Sequence, residues 1–103
     1  MKLIYKGDPF VEGWNNKYDM MSDFQMDPHE LVGAKILYAS YSTGDYCGNC
    51  DVVFRRNRKL YHVEGSHCSC FGLEGQWSPV ETNELALYKT CGGIAKILWG
   101  EQK

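Results

Sequence analysis

A chain of 103 residues, 44% apolar and 23% charged, is long enough for one hydrophobic core and too short for two ordinary domains. Its formal net charge of −2 argues against a non-specific nucleic-acid binder, and nothing in it approaches the ~20 apolar residues of a transmembrane helix. The opening MKLIYKGDPF has only a three-residue apolar run and no secretory signal, so the expected setting is cytoplasmic, where the five cysteines stay reduced.

In chain order, MKLIY is apolar enough for a short strand. Residues 7–26 hold many aromatics and methionines, but Gly13, Asn15 and Asn16 break any period, predicting an irregular wrap with one helical turn. Asp27 as cap, Pro28 at the first position and Glu30 as the capping-box acid predict a short helix over 28–32, stopped by Gly33. AKILYASYS is β-branched and aromatic, predicting a strand over 35–42.

DVVFRRNRKLYHVEG reads as a hairpin with strands over 51–56 and 59–64. With Asn57-Arg58 as a two-residue loop, residues whose numbers sum to 115 lie opposite each other. Val52 then faces Val63 and Phe54 faces Tyr61, which gives one apolar face, whereas a slip of one residue mixes the faces. FGLEGQW is too glycine-rich for regular structure. Ser78, Pro79 and Glu81 look like a helix start and Gly92 like its end, predicting a helix over 79–91. For IAKILW, a last strand and a short helix both remain open. The fold class is α+β: one domain over 1–103, with a three- or four-stranded antiparallel sheet and one principal helix packed on its apolar face.

Extending the 115 register places Cys50 opposite Gly65 and Cys47 opposite Cys68. The Cys47-Gly48-Asn49-Cys50 and His67-Cys68-Ser69-Cys70 segments therefore meet at one end of the sheet. Three readings stay open. Cys47 and Cys50 with Cys68, Cys70 or His67 make a candidate zinc site, since Cys-x-x-Cys across a tight turn delivers two thiolates to one ion. A Cys47–Cys68 disulfide fits the register but suits a reducing compartment poorly. Small buried cysteines with no shared ligand are the third. A redox Cys-x-x-Cys belongs at a helix start, and this one precedes a strand. A Cys68 or Cys70 nucleophile with His67 or His62 as base would make an enzyme, but sequence neighbours seldom face each other.

Two other features invite a partner. Gly72 and Gly75 let the 72–77 loop turn sharply, which would offer Leu73, Glu74, Gln76 and Trp77 as a recognition surface or fold Trp77 back as a lid. Arg55, Arg56, Arg58 and Lys59 hold most of the positive charge and are a weaker candidate contact for phosphate or an acidic partner.

The run YHVEGSHCSCFGLEGQWSPVET resembles a group of small, mostly uncharacterised bacteriophage and prophage proteins carrying an HCSCxGLExQWxPE-like stretch after a Lys-Leu-Tyr strand. The resemblance covers residues 36–88, most specifically His67 to Trp77, and departs at Pro79-Val80-Glu81, where an apolar residue interrupts the acidic stretch. A Cys-x-x-Cys like 47–50 is not part of that pattern, which leaves the zinc reading with half its ligands. The resemblance implies a phage-encoded accessory protein in the bacterial host cytoplasm that binds and modulates a host factor or defence complex. The expected function is thus that of a non-enzymatic binding protein with a host protein as partner, self-association being open. The alternative is a zinc-stabilised nucleic-acid-associated module.

Overall fold

The computed structural model describes residues 3–43, 47–68 and 72–100. Its centre is a hairpin of β3 (Cys47–Arg56) and β4 (Lys59–Cys68) with the 115 register throughout, from Arg56 opposite Lys59 to Cys47 opposite Cys68. Asn57 and Arg58 close it, both at positive φ (54° and 66°), the two-residue turn whose twist matches a right-handed ribbon. β2 (Lys35–Thr43) flanks β3 antiparallel, and a three-residue β5 (Val80–Thr82) flanks β4.

The fifth strand is β1 (Phe10–Glu12), parallel to β2 at the other edge, so the sheet is mixed and ordered β1-β2-β3-β4-β5. A parallel neighbour needs a crossover. Residues 13–34 supply it through α1 (Lys17–Phe24) and a 3-10 helix over Pro28–Leu31. The predicted irregular wrap is therefore a strand and two turns of helix. Asn16 makes the helix start, its side chain accepting from the Tyr18 and Asp19 amides at 2.9 and 3.1 Å. Of the predicted strand over 1–5, the described residues 3–5 are not strand; instead Ile4 and Tyr5 donate to the Leu98 carbonyl (2.8 and 3.2 Å).

The predicted helix over 79–91 is divided. Val80–Thr82 pairs with β4, and α2 (Glu84–Thr90) starts only at Asn83, whose side chain accepts from the Ala86 amide at 2.8 Å. Gly92 does not end the helical region: α3 (Gly92–Trp99) follows at once, so IAKILW is helical. Cys91, with φ −137° and ψ 56°, is the joint.

Both faces of the sheet are covered, not one. On the first, Trp14, Met20 and Phe24 meet Ala39, Cys50, Val52, Phe54, Val63 and Leu73. On the second, Leu87, Ala95, Leu98 and Trp99 meet Leu37, Tyr38, Val53 and Leu60. The irregularity between Ile36 and Tyr38 lets the adjacent Leu37 and Tyr38 serve the same face, which regular alternation forbids. No described helix is long and apolar enough to cross a membrane.

Gly13 fixes how β1 leaves the sheet. Its φ is +84°, and a Cβ there would lie 2.2 Å from the Tyr41 carbonyl oxygen and 2.7 Å from the Tyr41 Cβ. Backbone cannot yield as a side-chain tip can, so Gly13→Ala is expected to cost at least ~1–3 kcal/mol from the left-handed strain alone. Urea denaturation checks this, and a midpoint within error of the parent would show that β1 is not held here.

Candidate metal centre

The register that pairs Val52 with Val63 on one face sets Asp51 opposite Glu64 on the other, with His62 one step along, opposite Val53. This second face lies under the α2–α3 pair, and the Cys91 joint descends onto it. His62 is buried. Its Nε2 lies 2.9 Å from Asp51 Oδ1 and 3.8 Å from Cys91 Sγ, and its Nδ1 lies 3.6 Å from Glu64 Oε1. One ligand atom from each of Asp51, His62, Glu64 and Cys91 falls within 4.8 Å of the others, so the group could hold a metal ion.

The spacing suits a small cation. Zinc bonds of ~2.0–2.3 Å put two tetrahedral ligand atoms roughly 3.3–3.8 Å apart. The Cys91–His62 distance meets that, and the Asp51–His62 distance is a hydrogen bond that opens by a few tenths of an ångström when an ion replaces the proton. Burial, and then the charges of Asp51 and Glu64, push the Cys91 thiol above its ordinary pKa, against a hydrogen bond from Thr90 that lowers it. A thiol so placed, 3.8 Å from the imidazole, is not an activated nucleophile.

The structure gathers the cysteines differently from the predicted zinc site. β3 runs unbroken through Cys47–Cys50, so Gly48-Asn49 makes no turn, and residues three apart on a strand face opposite ways. Cys47 is exposed on the second face, opposite Cys68, while Cys50 is buried in the first core, opposite Gly65. His67 takes the first face as well: its ring lies over Gly48, and its Nδ1 is 2.8 Å from the Tyr41 hydroxyl. One end of the sheet thus holds all four residues, but on two sides. Cys70 lies outside the described residues.

The 72–77 loop packs inward. Leu73 is buried, Trp77 stacks on Phe54 (centroids 5.7 Å apart) and meets the edge of Phe24 (5.1 Å). Gln76 accepts from the Ser66 amide (2.9 Å) and donates to the Ser66 and Gly72 carbonyls (2.6 and 2.7 Å). Of the four loop residues proposed for recognition, Glu74 alone is exposed.

The basic cluster is divided, strand alternation setting Arg55 and Arg56 on opposite faces. Arg56 is committed to the first face, donating to the Glu30 carbonyl at 2.9 Å and lying over Phe54 and Tyr61. Arg55, Arg58 and Lys59 border a shallow depression that also holds Glu81 and Glu84, and Lys59 pairs with Glu81 at 3.8 Å. Acids therefore share the surface offered to a phosphate.

Of the metal group, only His62 stands out in the sequence, as a base for a cysteine. Asp51 and Glu64 follow from the 115 register once the second face is read for chemistry. Cys91 has no local signal, because its place depends on where α2 ends. The chain matches no family model, no curated protein and no solved structure.

Proposed function

We propose that the protein is a non-enzymatic binding protein whose ligand is a divalent transition-metal cation of the zinc class. The observation that carries this is the convergence of carboxylate, imidazole and thiol donors from Asp51, His62, Glu64 and Cys91 within 4.8 Å. That mixture selects zinc, cobalt or iron(II) over magnesium or calcium, which prefer all-oxygen shells. Three donors come from adjacent strands and the fourth from the α2–α3 joint, so a bound ion ties the helical pair to the sheet.

The test is titration of chelator-treated, reduced protein with Zn2+ against a chromophoric competitor. The parent is expected to bind one ion per chain. Loss of a hydrogen-bonded outer group already costs ~10–100-fold in affinity, so Cys91→Ser and His62→Gln are expected to lose at least ~100-fold, and Cys47→Ser to lose nothing. Binding that survives Cys91→Ser and disappears with Cys47→Ser would overturn the reading and return the ion to the Cys47/Cys68 end of the sheet.

A further inference from the structure

His62 addresses two carboxylates with its two ring nitrogens, and an imidazole ligates an ion through only one of them. Nε2 has Asp51 Oδ1 at 2.9 Å and Cys91 Sγ at 3.8 Å, whereas Nδ1 has Glu64 Oε1 at 3.6 Å. An ion placed among the first three atoms is bound by Nε2, leaving Nδ1–H directed at Glu64. A metal-bound histidine usually donates its second ring N–H to an outer carboxylate, and Glu64, at ion-pair distance, is the carboxylate on that side. Exposure sorts the carboxylates the same way, since the Asp51 side chain is 32% exposed and that of Glu64 72%.

We infer that the centre has three protein ligands, Asp51 Oδ1, His62 Nε2 and Cys91 Sγ, with Glu64 as a positioning residue and an open fourth position for a small exogenous donor. This rests on the cation reading above. Closed structural sites fill all four positions from the protein, while three-ligand sites keep the fourth for water or a ligand. Two of the three ligands, Asp51 and Cys91, border a cleft of about 330 Å³ together with Asn49, Glu64 and Thr90. A divalent ion with one carboxylate and one thiolate is neutral, so the cleft needs no countercharge for its occupant. Water is the resting ligand, and a compact neutral donor such as an imidazole nitrogen displaces it, with Asn49 and Thr90 at hand for hydrogen bonds.

The full chain loaded with Co2+ tests this, because thiolate-to-cobalt absorption reports Cys91 and the visible d–d bands report coordination. Imidazole is the probe. Saturable change of the d–d bands with the thiolate absorption intact is expected. Glu64→Gln, which keeps a carbonyl oxygen for Nδ1–H, is expected to keep one cobalt per chain and the thiolate absorption, with affinity lowered at most ~10–100-fold. Unchanged d–d bands in the parent, or a Glu64→Gln variant that no longer binds cobalt, would make Glu64 the fourth ligand and overturn the open position. Imidazole that strips the cobalt would overturn it too. A parent that binds no cobalt at all defeats the cation reading itself, and is recognised before any imidazole is added.

Discussion

Phe54→Ala is expected to cost ~3–5 kcal/mol, the usual loss for a fully buried phenylalanine. Phe54 has no exposed surface and lies between two rings, Tyr61 at 5.1 Å and Trp77 at 5.7 Å, both within 20° of parallel. Removing it strips a face from each neighbour and releases the Arg56 guanidinium that lies 5.8 Å above the ring. A domain of this size is stable by only ~5–15 kcal/mol, so one substitution takes a fifth or more of the total. Phe54→Leu keeps most of the burial and loses the stacking, for a smaller cost of ~0.5–1.5 kcal/mol. Urea denaturation of both variants measures the difference. A cost below ~1 kcal/mol for the alanine variant would show that Trp77 and Tyr61 close over the gap.

The second large effect is alkaline. Burial, and then the neighbouring Asp51 charge, push the Cys50 thiol from 9.0 to about 12, against a backbone hydrogen bond with Gly65 that lowers it. The folded state thus keeps the proton that the unfolded chain gives up first. The stabilisation is whole below pH 9.0 and is lost as pH rises toward about 12. The slope is about 1.4 kcal/mol per pH unit. Cys91, shifted the same way, adds to it. In reductant, the stability of the parent should fall more steeply over this range than that of Cys50→Ala. Parallel curves would mean that Cys50 ionises in the fold as it does in the open chain.

The sheet was more legible than the helices, for a physical reason. Strand pairing in β3–β4 is local, and Val52, Phe54, Tyr61 and Val63 admit only one register that keeps a face apolar. The same arithmetic set Cys47 opposite Cys68. What it did not reveal is that the Cys47–Cys50 segment is strand, not turn, which sends its two thiols to opposite faces. Ser78-Pro79 carries a sound helix-start signal, yet Val80–Thr82 is claimed by Leu60–His62, a pairing that no local window contains. Asn83, the cap actually used, was equally visible in the chain. β1 was hidden because its partner β2 is parallel and lies beyond a crossover. The metal group was half legible: Asp51, His62 and Glu64 follow from register, while Cys91 requires knowing that α2 stops there.

The Gln76 amide also bears on how the molecule behaves in a crowd. β5 covers β4 only as far as His62, so among the described residues no strand covers the stretch toward Cys68, whose backbone groups another strand would accept. At Ser66 that invitation is withdrawn, because the carboxamide of Gln76 takes both the N–H and the carbonyl as a neighbouring strand would. The opposite border is a three-residue strand with a shifted register, which is a poor template for growth. Both borders of a sheet with two long central strands thus offer a sixth strand a short or partly occupied template. One glutamine side chain stands where an aggregate would begin.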